Sequence, residues 1–424
     1  MPEQAIILPA HNAVSRARAY ACTLGIIAWI FADQAANGLT LHIAEIGKEL
    51  PDVDAIYWLV TVKSLTAIVA SVAAGYCVDR FPLRSTMMIA LALAAGAQGT
   101  FLLAHTVPHY VTATLLSAIA TALFPPVVIL LMAGLARELR GVFISLSLVL
   151  PAWLPTTFVV VSTQVGKLTA IGWRASFALS FAALSAVCAL AMLTMRSPSW
   201  QRTDVESYVP DTLSPRATLN LLIASALLMA FIGGLTGSAY QLFGKNIDAY
   251  DWARVYSAGT ILFQPITIAI AVCIAFMRGG RAILIARLIS VVVGLAILAT
   301  VLAAVSSNTT IVLYCLAFVQ GCGLIALGGV LTAIACWTAI SSRGLNVGIA
   351  YASKGALGFL LAIVLNKAAL TLSDTMYRCT IAGLALVLGA WALVHTWKME
   401  QEIKRTLSIT THETKGANLL PRPN

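Results

Sequence analysis

The stretch "GYCVDRFPLR", Gly75 to Arg84, decides how this chain is read. It sets one acid, two arginines and a proline between two long apolar runs. Each flank supplies the roughly 20 mostly apolar residues that a bilayer-spanning helix needs. The same template returns twelve candidate spans along the chain: 19–43, 55–77, 85–105, 109–134, 142–166, 173–195, 217–243, 252–277, 283–305, 310–340, 345–366 and 376–397. The segment "RSPSWQRTDVESYVPDTLSPR", Arg196 to Arg216, is polar and rich in Pro and Ser, and it separates six spans from six. The expected organisation is a tail over 1–18, a six-helix bundle over 19–195, a central loop over 196–216, a second six-helix bundle over 217–397 and a tail over 398–424.

Composition points the same way. The 424 residues are 59% hydrophobic and 10% charged, with a mean hydropathy of +0.89. A soluble domain carries about 25% charged residues. The net charge of +10 does not indicate nucleic acid, because the basic residues punctuate apolar runs instead of clustering on a polar domain. The eight cysteines lie mostly inside apolar runs and form no CxxC pair, so they read as small buried hydrophobes. Residues 1–18 lack the apolar core and cleavage site of a signal peptide, so the first span is expected to act as the insertion signal.

Loop charges give the orientation, because cytoplasmic loops collect Lys and Arg. With the N-terminus inside, Arg16, Arg18, Arg80, Arg84, Arg137, Arg140, Arg196, Arg202, Arg216, Arg278, Arg281, Arg287, Arg343 and the tail bases share one side. Lys48, Lys167, Arg174, Lys245, Arg254, Lys367 and Arg378 fall on the other. Both termini are therefore expected in the cytoplasm, and the stretch at Gly75 becomes a cytoplasmic loop. Two bases, Lys63 and Lys354, and one acid, Asp33, remain inside predicted spans.

"GYCVDRFPLR" resembles the G-x-x-x-D-R-x-G-R-R motif that the major facilitator superfamily carries after helix 2. Gly75, Asp79, Arg80 and Arg84 match, while Pro82 and Leu83 depart from the pattern. "MRGGR", Met277 to Arg281, is a fainter copy at the corresponding loop of the second half, with the acid lost. "YWLVTVKSL" (Tyr57 to Leu65) and "GWRASF" (Gly172 to Phe177) look like the helix 2 and helix 6 openings of drug:proton antiporters. "FVQGCG" (Phe318 to Gly323) resembles part of a helix 4 motif, placed here in helix 10. Helix 5 reads "LPAWLP", Leu150 to Pro155, where the antiporter branch has G-P-x-x-G-G. The resemblance implies an all-α integral membrane fold of about twelve helices in two six-helix bundles, and transport by alternating access. It also implies that Asp79 docks near the start of helix 11, on the backbone near Gly344 to Gly348, when the cytoplasmic side is closed. A plain topology anchor is the competing reading of this loop. Read locally, Asp79 and Pro82 precede helix 3, whose positive N-terminus would favour the carboxylate.

An ionisable residue within a span costs at least about 2.5–3.5 kcal/mol and marks a functional candidate. Asp33 falls near mid-membrane, and Gln34 and Asn37 extend it into a polar patch in "FADQAANG". Lys63 in the next span sits at similar depth, almost equally far from the intervening turn. The pair is either a proton-coupling couple or a static buried ion pair that fixes packing. Lys354, in "YASKGALG", is left without a buried acid if Lys63 holds Asp33. An anionic or carbonyl-bearing substrate would suit it, and snorkelling to the interface is the alternative. Gln241, Gln264, Gln320 and Trp153 are weaker candidates for a substrate cavity, each with an interhelical structural role as the plainer option.

The expected function is proton-coupled secondary active transport of a small organic molecule, with efflux of a drug or metabolite ahead of uptake or facilitation of an organic anion. An ATP-driven pump is excluded by the missing P-loop, since neither Gly166-Lys167 nor Gly244-Lys245 has the flanking residues. A membrane-embedded enzyme lacks a constellation, as the six histidines are scattered. No cofactor and no metal are expected. The expected partners are the substrate, protons and the lipid bilayer, with no nucleic acid. The expected setting is a bacterial inner membrane, with the protein a multi-pass monomer.

Overall fold

Apolar runs that contain no water-satisfied backbone become helices, because a helix pairs every peptide group internally. The computed structural model describes residues 16–33, 53–135, 172–194, 214–227, 281–306 and 342–417 continuously, with isolated positions at 46, 143–154 and 308–334. Its helices are α1 (16–33), α2 (Val53–Arg80), α3 (Leu83–Leu103), α4 (Val107–Ala133), α5 (Ala175–Thr194), α6 (215–227), α7 (Arg281–Val305), α8 (Arg343–Thr371) and α9 (Asp374–Ala417). Among the described residues, seven helices are long and apolar enough to cross a membrane. The protein is an all-α, multi-pass membrane protein.

Helix α4 forms the central post of the N-terminal helices. Residues Ala122 to Ile129 are buried without interruption, and α4 packs on both α3 and α2. In the C-terminal part α7 packs along α9. The two parts meet chiefly along α2 and α8, with α8 also touching α4.

Arginines fasten the helix ends. The last carbonyls of a helix have no partner within it, and a cation there also favours the negative pole. Arg174, opening α5, donates to the carbonyl of Ala104 just after α3 at 2.8 Å and stacks on Trp173 at 4.6 Å. Trp173, Phe177, Phe101 and Tyr110 continue this contact as a chain of aromatic pairs. Arg378, opening α9, donates to the carbonyl of Ser306 just after α7 at 2.6 Å. Arg174 and Arg378 thus perform one task in two corresponding places, each bonding the carbonyl that follows another helix.

Two local expectations are corrected. Arg18 is not a loop charge facing the membrane surface. It is 4% exposed, and its Nη1 donates to the carbonyl of Gly134 at the end of α4 at 2.7 Å. Asp79 lies inside the last turns of α2 and does not precede α3, and Pro82 is the N-cap of α3, whose first turn holds no acid. Beyond the predicted span 376–397 the last helix continues unbroken to Ala417.

Candidate functional site

The loop that decided the reading places its acid against a different helix from the one next to it. Asp79 Oδ1 accepts the Gly344 backbone N–H at 2.9 Å, and Oδ2 accepts that of Leu345 at 2.8 Å. These are the second and third amides of α8, whose own N-cap residue, Ser342, makes no side-chain cap. Asp79 therefore caps α8 from across the interface. The local expectation put this carboxylate at α3; the observed partner is α8, because the turn at Phe81 and Pro82 directs α3 away while α2 lies alongside α8. Hydrogen bonds to a charged group contribute about 1.5–3 kcal/mol each. Of the neighbouring arginines, Arg80 lies 5.4 Å from the Tyr76 ring, and Arg80 and Arg84 are both exposed.

The approach that permits this cap depends on missing side chains. A Cβ on Gly75 would overlap the Gly344 carbonyl oxygen, and one on Gly348 would overlap that of Ser71. Ser71 and Gly75 on α2 face Gly344 and Gly348 on α8, so two small-xxx-small patterns lie back to back, an arrangement suited to close helix contact in lipid.

Deeper along the same two helices lies the charged cluster. Lys354 is ten residues beyond Gly344, about 15 Å at 1.5 Å per residue. The Asp33 carboxylate interacts electrostatically with Lys63 of α2 and with Lys354 of α8, and the Trp29 side chain lies near it, one turn earlier. Lys354 is thus not left without an acid nearby, as the order of the spans suggested, because Asp33 acts electrostatically on it as well as on Lys63. Its ammonium lies 5.9 Å from the Tyr351 ring centroid, and Tyr351 meets Trp29 edge to face at 6.1 Å. Trp29 is buried, whereas Asp33, Lys63, Tyr351 and Lys354 are half-buried. A buried Gln98 on α3 donates to the Phe31 carbonyl at 2.9 Å, which ties the backbone beside Asp33.

Gln34, Asn37, Trp153, Gln241, Gln264 and Gln320 lie outside the described residues. Sequence reasoning missed Trp29, Tyr351 and Gln98. The aromatics looked like ordinary members of apolar runs, while Gln98, a lone amide within "AAGAQGT", was a signal available to be used.

Helices in these numbers, charges held inside them and an interface closed by one carboxylate define the class: an integral membrane transporter, not an enzyme. The sequence pattern of the Major Facilitator Superfamily matches residues 23–362, and the chain belongs to that family. No curated protein sequence matches it significantly. Among solved structures, the human organic anion transporter MFSD10 (TETRAN) is similar with a TM-score of 0.65 at 12% identity, covering 89% of this chain and 99% of its own. A bacterial homologue of the iron transporter ferroportin, solved in an outward-facing state, has a TM-score of 0.60 at 13% identity, over 90% of this chain and 99% of its own. The proton:xylose symporter XylE, bound to 6-bromo-6-deoxy-D-glucose, gives 0.62 at 14% identity, over 91% and 96%. At such identities the likeness carries the fold alone.

Proposed function

We propose that the protein is a proton-coupled secondary active transporter that moves a small organic molecule by alternating access. What supports this reading is that the Asp33 carboxylate lies within electrostatic reach of Lys63 and Lys354, on helices from the two parts of the chain. A carboxylate whose surroundings change when α2 and α8 part links its protonation to the conformational state. Asp79 is the latch of the same movement, since its two bonds to α8 exist only while the helices touch. Gly75 permits that contact, and Arg80 and Arg84 hold the loop at the anionic cytoplasmic surface, at about 1 kcal/mol per charge.

Export is the direction that the antiporter-like opening of helix 2 favours. The opening of helix 6 carries less weight, because Arg174 and Trp173 in "GWRASF" are occupied in fastening α5 to α3. A second reading, proton-linked uptake or facilitation of an organic anion, is favoured by the second lysine, which leaves the cluster with more positive than negative charge.

The experiment is a screen of labelled small organic compounds in proteoliposomes, with and without an imposed pH gradient. Asp33→Asn is expected to abolish gradient-driven accumulation while counterflow survives. Accumulation equal to that of the unaltered protein would remove Asp33 from coupling.

A further inference from the structure

A polar cluster apart from Asp33 lies where α9 meets α6. Trp391 Nε1 donates to His395 Nε2 at 3.0 Å, and His395 Nδ1 lies 2.8 Å from Asn220 Oδ1. Trp391 and His395 stand one turn apart on α9, and Asn220 is on α6. An indole N–H can only donate. Nε2 must therefore offer its lone pair, so the ring is neutral and carries its one proton on Nδ1, which donates to the Asn220 amide oxygen. The next residue braces α9 on another neighbour, because Ser290 of α7 donates to Thr396 at 3.0 Å.

Its place along α9 opens this ring to one compartment. From Asp374, where α9 begins, His395 is 21 residues on, or about 32 Å along the axis. That length crosses the roughly 30 Å hydrocarbon core and reaches the rim on the predicted cytoplasmic side. Among the described residues, the titratable and charged groups within two turns of the cluster are Lys398, Glu400 and Glu402 on α9, Arg216 on α6 and Arg287 on α7. Arg287 and Lys404 hold Glu400 at 3.2 and 2.9 Å, and Arg405 holds Glu402 at 3.1 Å.

A proton added to the ring has to go to Nε2. The acceptor then becomes a donor, and two N–H groups face each other. The bond to Trp391 is lost, whereas the Nδ1–H bond to Asn220 becomes charge-assisted and stronger. The indole has room to turn away, because Trp391 is 54% exposed.

We propose that His395 is a proton site separate from Asp33, where acid on the predicted cytoplasmic side releases Trp391 from the ring and tightens the hold of α9 on α6. The site stands whether or not Asp33 couples protons to transport.

The test uses the purified full-length protein in detergent and follows tryptophan emission as pH is lowered. Subtracting the emission of Trp391→Phe isolates the one indole. The difference should change along a one-proton curve with its midpoint between about pH 5 and pH 7.5, the span of ordinary histidines. In His395→Gln, whose amide can meet both partners but does not titrate, the same subtraction should be flat. A flat difference in the unaltered protein, or an equal titration in His395→Gln, overturns the proton site. A second measurement reads the hold on α6. Asn220→Leu should lower the unfolding temperature more at about pH 5 than at about pH 8, since the bond it removes is stronger when the ring is charged. In the His395→Gln background its effect should be the same at both. An effect independent of pH in the unaltered background overturns the tightening. If His395→Gln or Asn220→Leu does not survive purification, the emission of the unaltered protein and Trp391→Phe decides alone, and the absence of a one-proton change overturns the proposal.

Discussion

A single carboxylate oxygen pair joins the two parts of the molecule at one end of their interface. Asp79→Asn keeps the shape of the side chain but weakens both bonds to α8, because one oxygen becomes a donor facing another donor. The loss of two charge-assisted bonds, at about 1.5–3 kcal/mol each, is large enough to move a conformational equilibrium tenfold or more. The expected outcome is increased labelling of a cysteine placed at Ser71 by a membrane-impermeant reagent from the predicted cytoplasmic side. Labelling unchanged from the Ser71→Cys single variant would leave Asp79 a loop anchor only. Much at this scale was legible in advance. The Asp33 and Lys63 charges could be placed at matching depth because each lies a similar number of residues from one turn. The partnership of Lys354 with Asp33 could not, since it depends on how helices far apart in the chain close on each other. Arg18 shows the opposite failure: near a predicted boundary, a base that caps a neighbouring helix reads like one that faces lipid headgroups.

Helix faces, more than single side chains, determine how α2 meets α8. Gly348 and Gly355 lie on the same helix but face different obstacles. A Cβ at Gly348 would run into the Ser71 backbone carbonyl, whereas one at Gly355 would lie 3.1 Å from Cγ1 of Ile68, a side chain that can rotate. Gly348→Ala should therefore force α8 off α2 and depress transport severely, while Gly355→Ala should retain most of it. Equal activities in a transport assay would show that the backbones need not approach closely. The arginine fasteners give a second prediction at this scale. Arg174→Ala and Arg378→Ala each remove a charged bond to a helix-terminal carbonyl, so each should cost about 2 kcal/mol and lower the unfolding temperature in detergent. An unchanged unfolding temperature in both would make the repeat decorative. The spans themselves were readable from apolar length, but where a helix ends was less so. Nothing in apolar length halts α9 at the membrane surface, since the polar segment after 397 is also a good helix former.

For the whole molecule, alternating access requires that α2 and α8 separate in each cycle. Cysteines in place of Ile68 and Gly355 would put one thiol on each helix where the two touch, since a Cβ at Gly355 would lie 3.1 Å from Cγ1 of Ile68. In a background freed of the eight native cysteines, oxidation should stop transport and a reducing agent should restore it, with each single cysteine insensitive. Transport that persists in fully cross-linked protein would show that these helices stay together throughout the cycle. The family and its helical architecture were legible because two loops echo one pattern around a polar midpoint. The charge relations across the interface were not, because a linear sequence records each helix face but not which faces meet.

The length of α9 has a practical consequence. At 44 residues it extends about 66 Å, roughly twice the thickness of a bilayer's hydrocarbon core. It therefore leaves the detergent belt as a continuous rod. A soluble helical protein joined in phase near Ala417 would inherit that rod's orientation, giving electron microscopy of a 44.7 kDa membrane protein the external landmark that particles of this size otherwise lack.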